Sequence, residues 1–193
     1  MFVVVFGPPG CGKGTQSKLV SHEYGIPQIE TGQIFREHIR QKTKLGKEIE
    51  SLYHSGELVP DSITEEIVKE LVSKQQFKNG AVFDGFPRTL HQGEFLENLL
   101  ESFGNKISVA IYLDVKKSEI LKRVKKRFLI EKRGEDVSQI QKVRFKIFEE
   151  RTKPLIAFFS KRKILFKVDG NRPVEEIFKS IKDILDKKAG KND

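Results

Sequence analysis

The sequence is short of several things, and each shortage excludes something. Cys11 is the one cysteine among 193 residues, which rules out an intrachain disulfide framework and any zinc site built on a cysteine cluster. The four histidines, His22, His38, His54 and His91, have no ligand spacing among them and are expected on the solvated surface. No apolar run is long enough to span a membrane. The opening residues lack the basic start and small-residue cleavage site of a signal peptide. Internal repeats, low-complexity tracts and linkers are missing as well. Together these absences predict a cytoplasmic setting and no membrane partner.

What is present is a globular balance, with 37% hydrophobic and 33% charged residues. The length suits one compact α/β domain with small inserted lobes. The net charge is +9, which a nucleic-acid-binding protein could also show. However, the lysines and arginines are spread along the chain and no stacked-aromatic RNA motif accompanies them, so nucleic acid is not the expected partner. The basic tail with Lys187, Lys188 and Lys191 reads as a frayed end. Arginines reading phosphates on small, highly charged substrates would account for part of the surplus.

Short apolar runs at Phe2–Phe6, Ala81–Phe83, Val109–Leu113 and Ile164–Val168 predict buried strands, with Ile26–Ile29 as a candidate fifth. Helical patterns lie between them at 13–24, 34–41, 45–54, 62–74, 90–103, 117–128, 137–160 and 174–187. Such alternation predicts a parallel sheet covered on both faces, with ligands bound beyond the carboxyl ends of the strands. Residues 31–60 form helices with no strand pairing back, and 127–136 show no clear period. Both read as lobes set on the core.

Directly after the first strand comes Gly7-Pro8-Pro9-Gly10-Cys11-Gly12-Lys13-Gly14-Thr15-Gln16. A strand, a glycine-rich turn and a helix start make a phosphate cradle, in which backbone N–H groups and one lysine surround a polyphosphate. This predicts a nucleoside triphosphate near the N-terminus, although the usual Ser or Thr after the lysine is here Gly14, with Thr15 one place later. A second motif, Asp84-Gly85-Phe86-Pro87-Arg88-Thr89, follows a strand end. Asp84 is placed to hold Mg²⁺ directly or through water, and Arg88 offers a planar fork for a phosphate. The plainer reading makes Asp84 and Thr89 helix caps. Arg123 and Arg127 stand four apart, share a helix face and repel one another unless an anion lies between them. Cys11 reads as a small filler rather than a catalytic thiol.

These motifs, together with Thr31-Gly32-Gln33-Ile34-Phe35-Arg36, Glu57-Leu58-Val59-Pro60-Asp61, Gln92 and Val168-Asp169-Gly170, resemble those of adenylate kinases in the nucleoside monophosphate kinase family. The similarity runs from the first strand to about Pro173, and Gly14 after the lysine is what that family uses. The resemblance implies a P-loop NTPase-type parallel sheet flanked by helices. It implies a core at 1–29, 61–126 and 138–193, an AMP-binding lobe at 30–60 and a short lid at 127–137. The implied reaction is Mg·ATP plus AMP giving two ADP. By the same resemblance ATP is held by Gly10, Cys11, Gly12, Lys13, Gly14, Thr15, Arg123, Arg127 and the backbone around Arg172. AMP is held by Thr31, Gly32, Arg36, Glu57, Leu58, Val59, Gly85, Phe86, Pro87, Arg88 and Gln92, with Gln92 on the adenine edge. Arg133 and Arg144 converge on the transferring group when the lid closes. Lys13, Arg88, Arg123, Arg133 and Arg144 then carry catalysis, and Asp84 organises the metal.

One departure from the family is Gln33, which stands where an Asp that helps hold metal-bound water is usual. The lid has no Cys or His cluster, so no zinc staples it. Its shortness goes with a monomer in this family. Two alternatives stay open: a UMP/CMP-type kinase, against which Thr31, Thr89 and Gln92 count, and a non-catalytic nucleotide-binding protein of the same fold.

Overall fold

The computed structural model describes residues 1–131 and 138–190. Strands β1 (Phe2–Phe6), β2 (Gln28–Glu30), β3 (Ala81–Asp84), β4 (Ile107–Asp114) and β5 (Leu165–Asp169) form one sheet in the order β2-β3-β1-β4-β5. Every neighbouring pair is parallel. The alternation inside β1 explains why both faces are apolar. Phe2, Val4 and Phe6 enter one core cluster with Phe83 and Ala110. Val3 and Val5 enter the other with Val82, Val109 and Ile111. A strand sandwiched this way reads as a continuous hydrophobic run rather than an alternating one.

Helices α1 (Lys13–Tyr24), α6 (Lys117–Glu131) and α9 (Val174–Ala189) supply Val20, Ile120, Val124, Ile177 and Ile181 to the second cluster. Helices α4 (Asp61–Val72), α5 (Leu90–Ser102) and α8 (Leu155–Lys161) cover the opposite face with Val68, Leu96, Leu100, Leu155 and Phe159. Helices α2 (Thr31–Arg40) and α3 (Lys44–Ser55) build a separate small core, in which Phe35 and Ile49 pack with Val59. Among the described residues no helix is long and apolar enough to cross a membrane.

Two expectations differ from what is seen. The pattern at 137–160 predicted one helix. Instead α7 (Ser138–Ile147) widens into a π turn at Phe148–Thr152, and α8 starts after Pro154. Proline has no N–H to donate, and its ring collides with the carbonyl four residues back. The chain answers with a wider turn, in which the Lys153 N–H donates to the Phe148 carbonyl at 2.8 Å,. The second difference is α6, which runs on to Glu131 although 127–136 showed no period. Phe128, Leu129 and Ile130 are exposed apolar residues on that last turn, so an amphipathic rhythm could not show there.

The carboxyl ends of the strands converge. Val5 and Glu30 both sit in register with Asp84, and Asp114 with Asp169. The loop after β1 and the loop after β3 therefore open on the same edge, where the site lies.

Candidate active site

The turn after β1 is held by its own backbone, with the Cys11 N–H donating to the Pro8 carbonyl at 3.1 Å. Gly10 has φ +84°, and a Cβ there would lie 2.5 Å from Val124 Cγ2. Only glycine gives both the left-handed turn and the close packing on α6. Helix α1 has Gly12 at its N-cap, with no side-chain cap and no acidic residue in its first turn. Its leading N–H groups and positive dipole end are thus left for an anion. Cys11 is completely buried, and burial pushes its thiol up in spite of Lys13. That supports the filler reading.

Lys13 reaches across the loop, with Nζ 3.5 Å from the Pro8 carbonyl. Burial lowers its pKa, and Arg88 and Arg144 lower it further, while Asp84 opposes them. Asp84 is itself buried, and desolvation raises its pKa against the pull of Lys13. Arg88 is held down to about 10, first by burial and then by the neighbouring Arg144. Its Nε donates to the Gly85 carbonyl at 2.7 Å, and Thr31 Oγ1 donates to the same oxygen at 2.9 Å. The π turn braces this loop from behind, because Thr152 Oγ1 donates to the Arg88 carbonyl at 2.9 Å. Lys13, Arg88 and Arg144 thus crowd one desolvated place, with the Asp84 and Glu30 carboxylates close by. That arrangement is unfavourable when empty and suits a highly charged anion.

The cavities follow this charge. A hollow of about 360 Å³ is lined by Lys13, Thr15, Asp84, Arg88, Arg127 and Arg144. On one side Arg88 and Arg144 also line a small cavity of about 40 Å³ with Thr31, Phe35, Val59 and Gln92. Gly32, Glu57 and Leu58 border it too. On the other side a more apolar cavity of about 560 Å³ lies between the glycine-rich turn and Arg123, Ile130, Arg172 and Val174. Arg123 is anchored between these parts. Its Nη1 donates to the Cys11 carbonyl at 3.0 Å and its Nε to Glu119 at 2.8 Å. The site is therefore a charged middle with a pocket at each end, which is the shape of two nucleotides meeting phosphate to phosphate.

Most of the expected site residues come together here. Gly85 and Pro87 line an adjoining cavity together with Lys13, Arg88 and Arg144. Phe86 does not, since it is buried in the core against the rings of Phe83 and Phe95. Arg36 lines the middle hollow, with Nη2 2.7 Å from Glu30 and Nη1 donating to the Tyr53 hydroxyl at 3.0 Å. Arg172 donates to Ser180 Oγ at 2.9 Å. Arg133, Glu135 and Asp136 lie outside the described residues. Gln33 borders a different hollow, beside β2 and α2.

Sequence reasoning missed Glu30 and Asp61. Glu30 borders the charged hollow and adds its negative charge to the forces raising the pKa of Asp84. Its signal was an acidic residue closing the strand that pairs with Asp84. The Asp61 carboxylate accepts from Thr89 Oγ1 at 2.9 Å and from Gln92 Nε2 at 2.7 Å. Thr89 does cap α5, accepting the Gln92 N–H at 3.1 Å. His91 is exposed as expected, yet its Nδ1 lies 2.8 Å from Glu65.

Comparison with known proteins agrees with this geometry. The adenylate kinase family model matches residues 5–164. A protein of Clostridium perfringens named adenylate kinase is 38% identical, the match covering 96% of this chain and 98% of that one. One from Leifsonia xyli with the same name is 39% identical over 91% of this chain and 88% of its own. Another, from Archaeoglobus fulgidus, is 36% identical over 97% and 99%. The chain belongs to the adenylate kinase family and is a nucleoside monophosphate kinase, a phosphotransferase.

Proposed function

We propose that this site moves the terminal phosphoryl group of Mg·ATP to AMP, reversibly, with ATP on the glycine-rich turn and AMP in the cavity beside Gln92. The observation that carries the reading is the crowding of Lys13, Arg88 and Arg144 between two pockets. The AMP phosphate, with a second pKa of about 6, is already a nucleophilic dianion at neutral pH. No general base is needed. What the reaction needs is in-line placement and neutralisation of charge on the transferring group.

In this reading the turn amides of 10–15 and Lys13 cradle the donor phosphates, with Arg123 and Arg127 beside them. The donor base lies between Arg123 and the segment around Arg172. Arg36 and Arg88 grip the AMP phosphate. Arg144, joined by Arg133, neutralises the group in flight. Thr31, Gly32, Glu57, Leu58, Val59, Gly85 and Pro87 shape the acceptor cavity. Residues 30–60 form the AMP-binding lobe and 127–137 the lid, whose closure keeps water from hydrolysing ATP.

Asp84 fits a divalent cation. It is a buried carboxylate whose Oδ2, among the described residues, accepts just a long 3.3 Å contact from Gln28, and Gly14 leaves room before it, since a Cβ there would come within 3.2 Å. Mg²⁺ held there would neutralise donor phosphate oxygens. Glu30 adds a second negative charge nearby. Action as a monomer, in the cytoplasm and without nucleic acid, completes the reading.

The relatives are named for adenylate, which supports the adenine acceptor over the UMP/CMP alternative. Phosphoryl transfer from Mg·ATP measured in parallel with AMP, CMP, UMP and GMP tests the assignment. A rate confined to AMP is expected. Faster transfer to CMP or UMP overturns the acceptor, and silence with all four overturns the reaction.

A further inference from the structure

The carboxamide of Gln92 is held from two sides by groups that leave it no choice. The Arg88 backbone N–H donates to Oε1 at 2.7 Å. On the other side Nε2 donates to Asp61 Oδ1, also at 2.7 Å. A backbone amide can only donate and a carboxylate can only accept. The oxygen must therefore face Arg88 and the nitrogen Asp61. A flipped carboxamide would set N–H against N–H on one side and oxygen against oxygen on the other. Gln92 is 2% exposed, so water cannot relieve such contacts.

Asp61 is itself fixed. It opens α4 directly after Val59 and Pro60, where the small α2–α3 core rejoins the sheet domain. Its second oxygen accepts from Thr89 at 2.9 Å and lies 3.8 Å from His91 Nδ1, which in turn contacts Glu65 at 2.8 Å. Asp61, Glu65 and His91 are close enough to suggest a metal cluster. Both oxygens of Asp61 are already engaged by Thr89 and Gln92, however, and among the described residues nothing else points to an ion. The cluster instead works as a brace.

We propose that Asp61 is a positioning residue that locks the Gln92 carboxamide in one orientation. By doing so it makes the acceptor cavity select bases carrying an exocyclic amino group over their oxo counterparts. The proposal rests on the reading that the acceptor base lies beside Gln92. With Arg88 and Asp61 engaged, Oε1 keeps one lone pair and Nε2 keeps one N–H. Adenine offers a 6-amino donor next to a ring-nitrogen acceptor, on either edge, which matches that pair. A 6-oxo purine points an oxygen at Oε1, and the amide cannot turn to greet it. Uracil is refused for the same reason. Cytosine presents the same amino-and-nitrogen pattern as adenine, so CMP is refused only by the size and packing of the cavity.

The unaltered enzyme provides the first test, in kcat/KM with Mg·ATP for AMP, purine riboside 5′-monophosphate and IMP. Loss of the 6-amino group alone should cost about tenfold, the worth of one hydrogen bond. IMP should fall about a hundredfold further, because a buried acceptor is then set against an acceptor. An amide free to rotate would take IMP at least as well as purine riboside monophosphate, and that result overturns the lock. Asp61→Ala should then narrow the AMP-to-IMP ratio at least tenfold and leave the AMP-to-CMP ratio unmoved. Thr89→Val removes the other partner of Asp61 and the α5 cap but keeps the Gln92 contact. It should leave the AMP-to-IMP ratio as it was. Equal narrowing in both variants would make Asp61 merely structural and overturn the proposal. Gln92→Ala separates the two levels of the argument. Unchanged KM for AMP in that variant removes the base from this cavity altogether. A raised KM there, with Asp61→Ala inert, refutes only the lock.

Discussion

Replacing Arg88 with methionine is expected to make the unliganded chain more stable while nearly abolishing turnover. A guanidinium normally titrates above 12, and burial with Arg144 beside it holds this one down to about 10. The charged form is thus disfavoured in the folded state by about 3 kcal/mol at any pH below about 10. The cost fades only as pH climbs beyond that, toward the ordinary arginine range. Methionine keeps most of the stem packing and loses the Nε contact to the Gly85 carbonyl, worth about 1 kcal/mol. Thr31 still serves that oxygen, so no acceptor is orphaned. The net gain is about 2 kcal/mol, or a rise of about 4–8 °C in Tm for a chain of this size. Thermal unfolding at pH 7 with and without AMP reads both halves of the argument. The variant should melt higher when empty, and AMP should raise its Tm far less than that of the parent. A variant that melts lower than the parent without ligand refutes the claim that this cation is held against its own burial.

Other perturbations test neighbouring parts of the same reasoning. Arg88→Lys keeps the charge but loses the planar fork, and should lower kcat/KM for AMP about a hundredfold in a coupled assay. Asp84→Asn should remove most Mg²⁺-dependent turnover yet raise unliganded stability at pH 7, because burial raises the folded pKa of Asp84. That gain should close as pH falls from the raised value to the ordinary carboxylate range near 4, where the parent is protonated in both states; melts at pH 7 and pH 4 check it. Gly56→Ala should destabilise by about 1–2 kcal/mol in denaturant unfolding and raise KM for AMP. Gly56 has φ +84°, and a Cβ there would sit 2.8 Å from Ile140 Cγ2 and 3.1 Å from Arg144 Cγ, which pushes the α3–α4 turn off α7.

The parts legible in the sequence were those set by short-range rules. A β-rich run followed by glycines and a lysine announces a strand, a turn and an uncapped helix within sixteen residues. Helix α1 came out with its expected ends for that reason. The break at Phe148–Thr152 was also local, and Pro154 was its visible sign. It was hidden because apolar residues on both sides keep the helical rhythm. Glu30 and Asp61 belong to a different kind. Their importance comes from the parallel register that sets Glu30 opposite Asp84, and from α4 and α5 lying side by side. Such contacts, 31 residues apart for Asp61 and Gln92, leave no periodic trace.

The same distinction explains where stability and function oppose each other. The sheet core is packed on both faces by large apolar side chains. The charged groups that the site needs gather past the strand ends, where the chain turns and burial is incomplete. Lys13 and Arg88 are there pushed toward neutrality and Asp84 toward protonation, all by desolvation first. Each of these shifts is a cost carried by the empty protein. Opposite charge supplied by phosphates would lower the cost for the two cations, and a divalent cation would lower it for the carboxylate. The two ligands must arrive together, as a metal–triphosphate complex, for both to be relieved. Substrate free of metal should therefore stabilise the chain less than its Mg²⁺ complex, by a margin that Asp84→Asn abolishes.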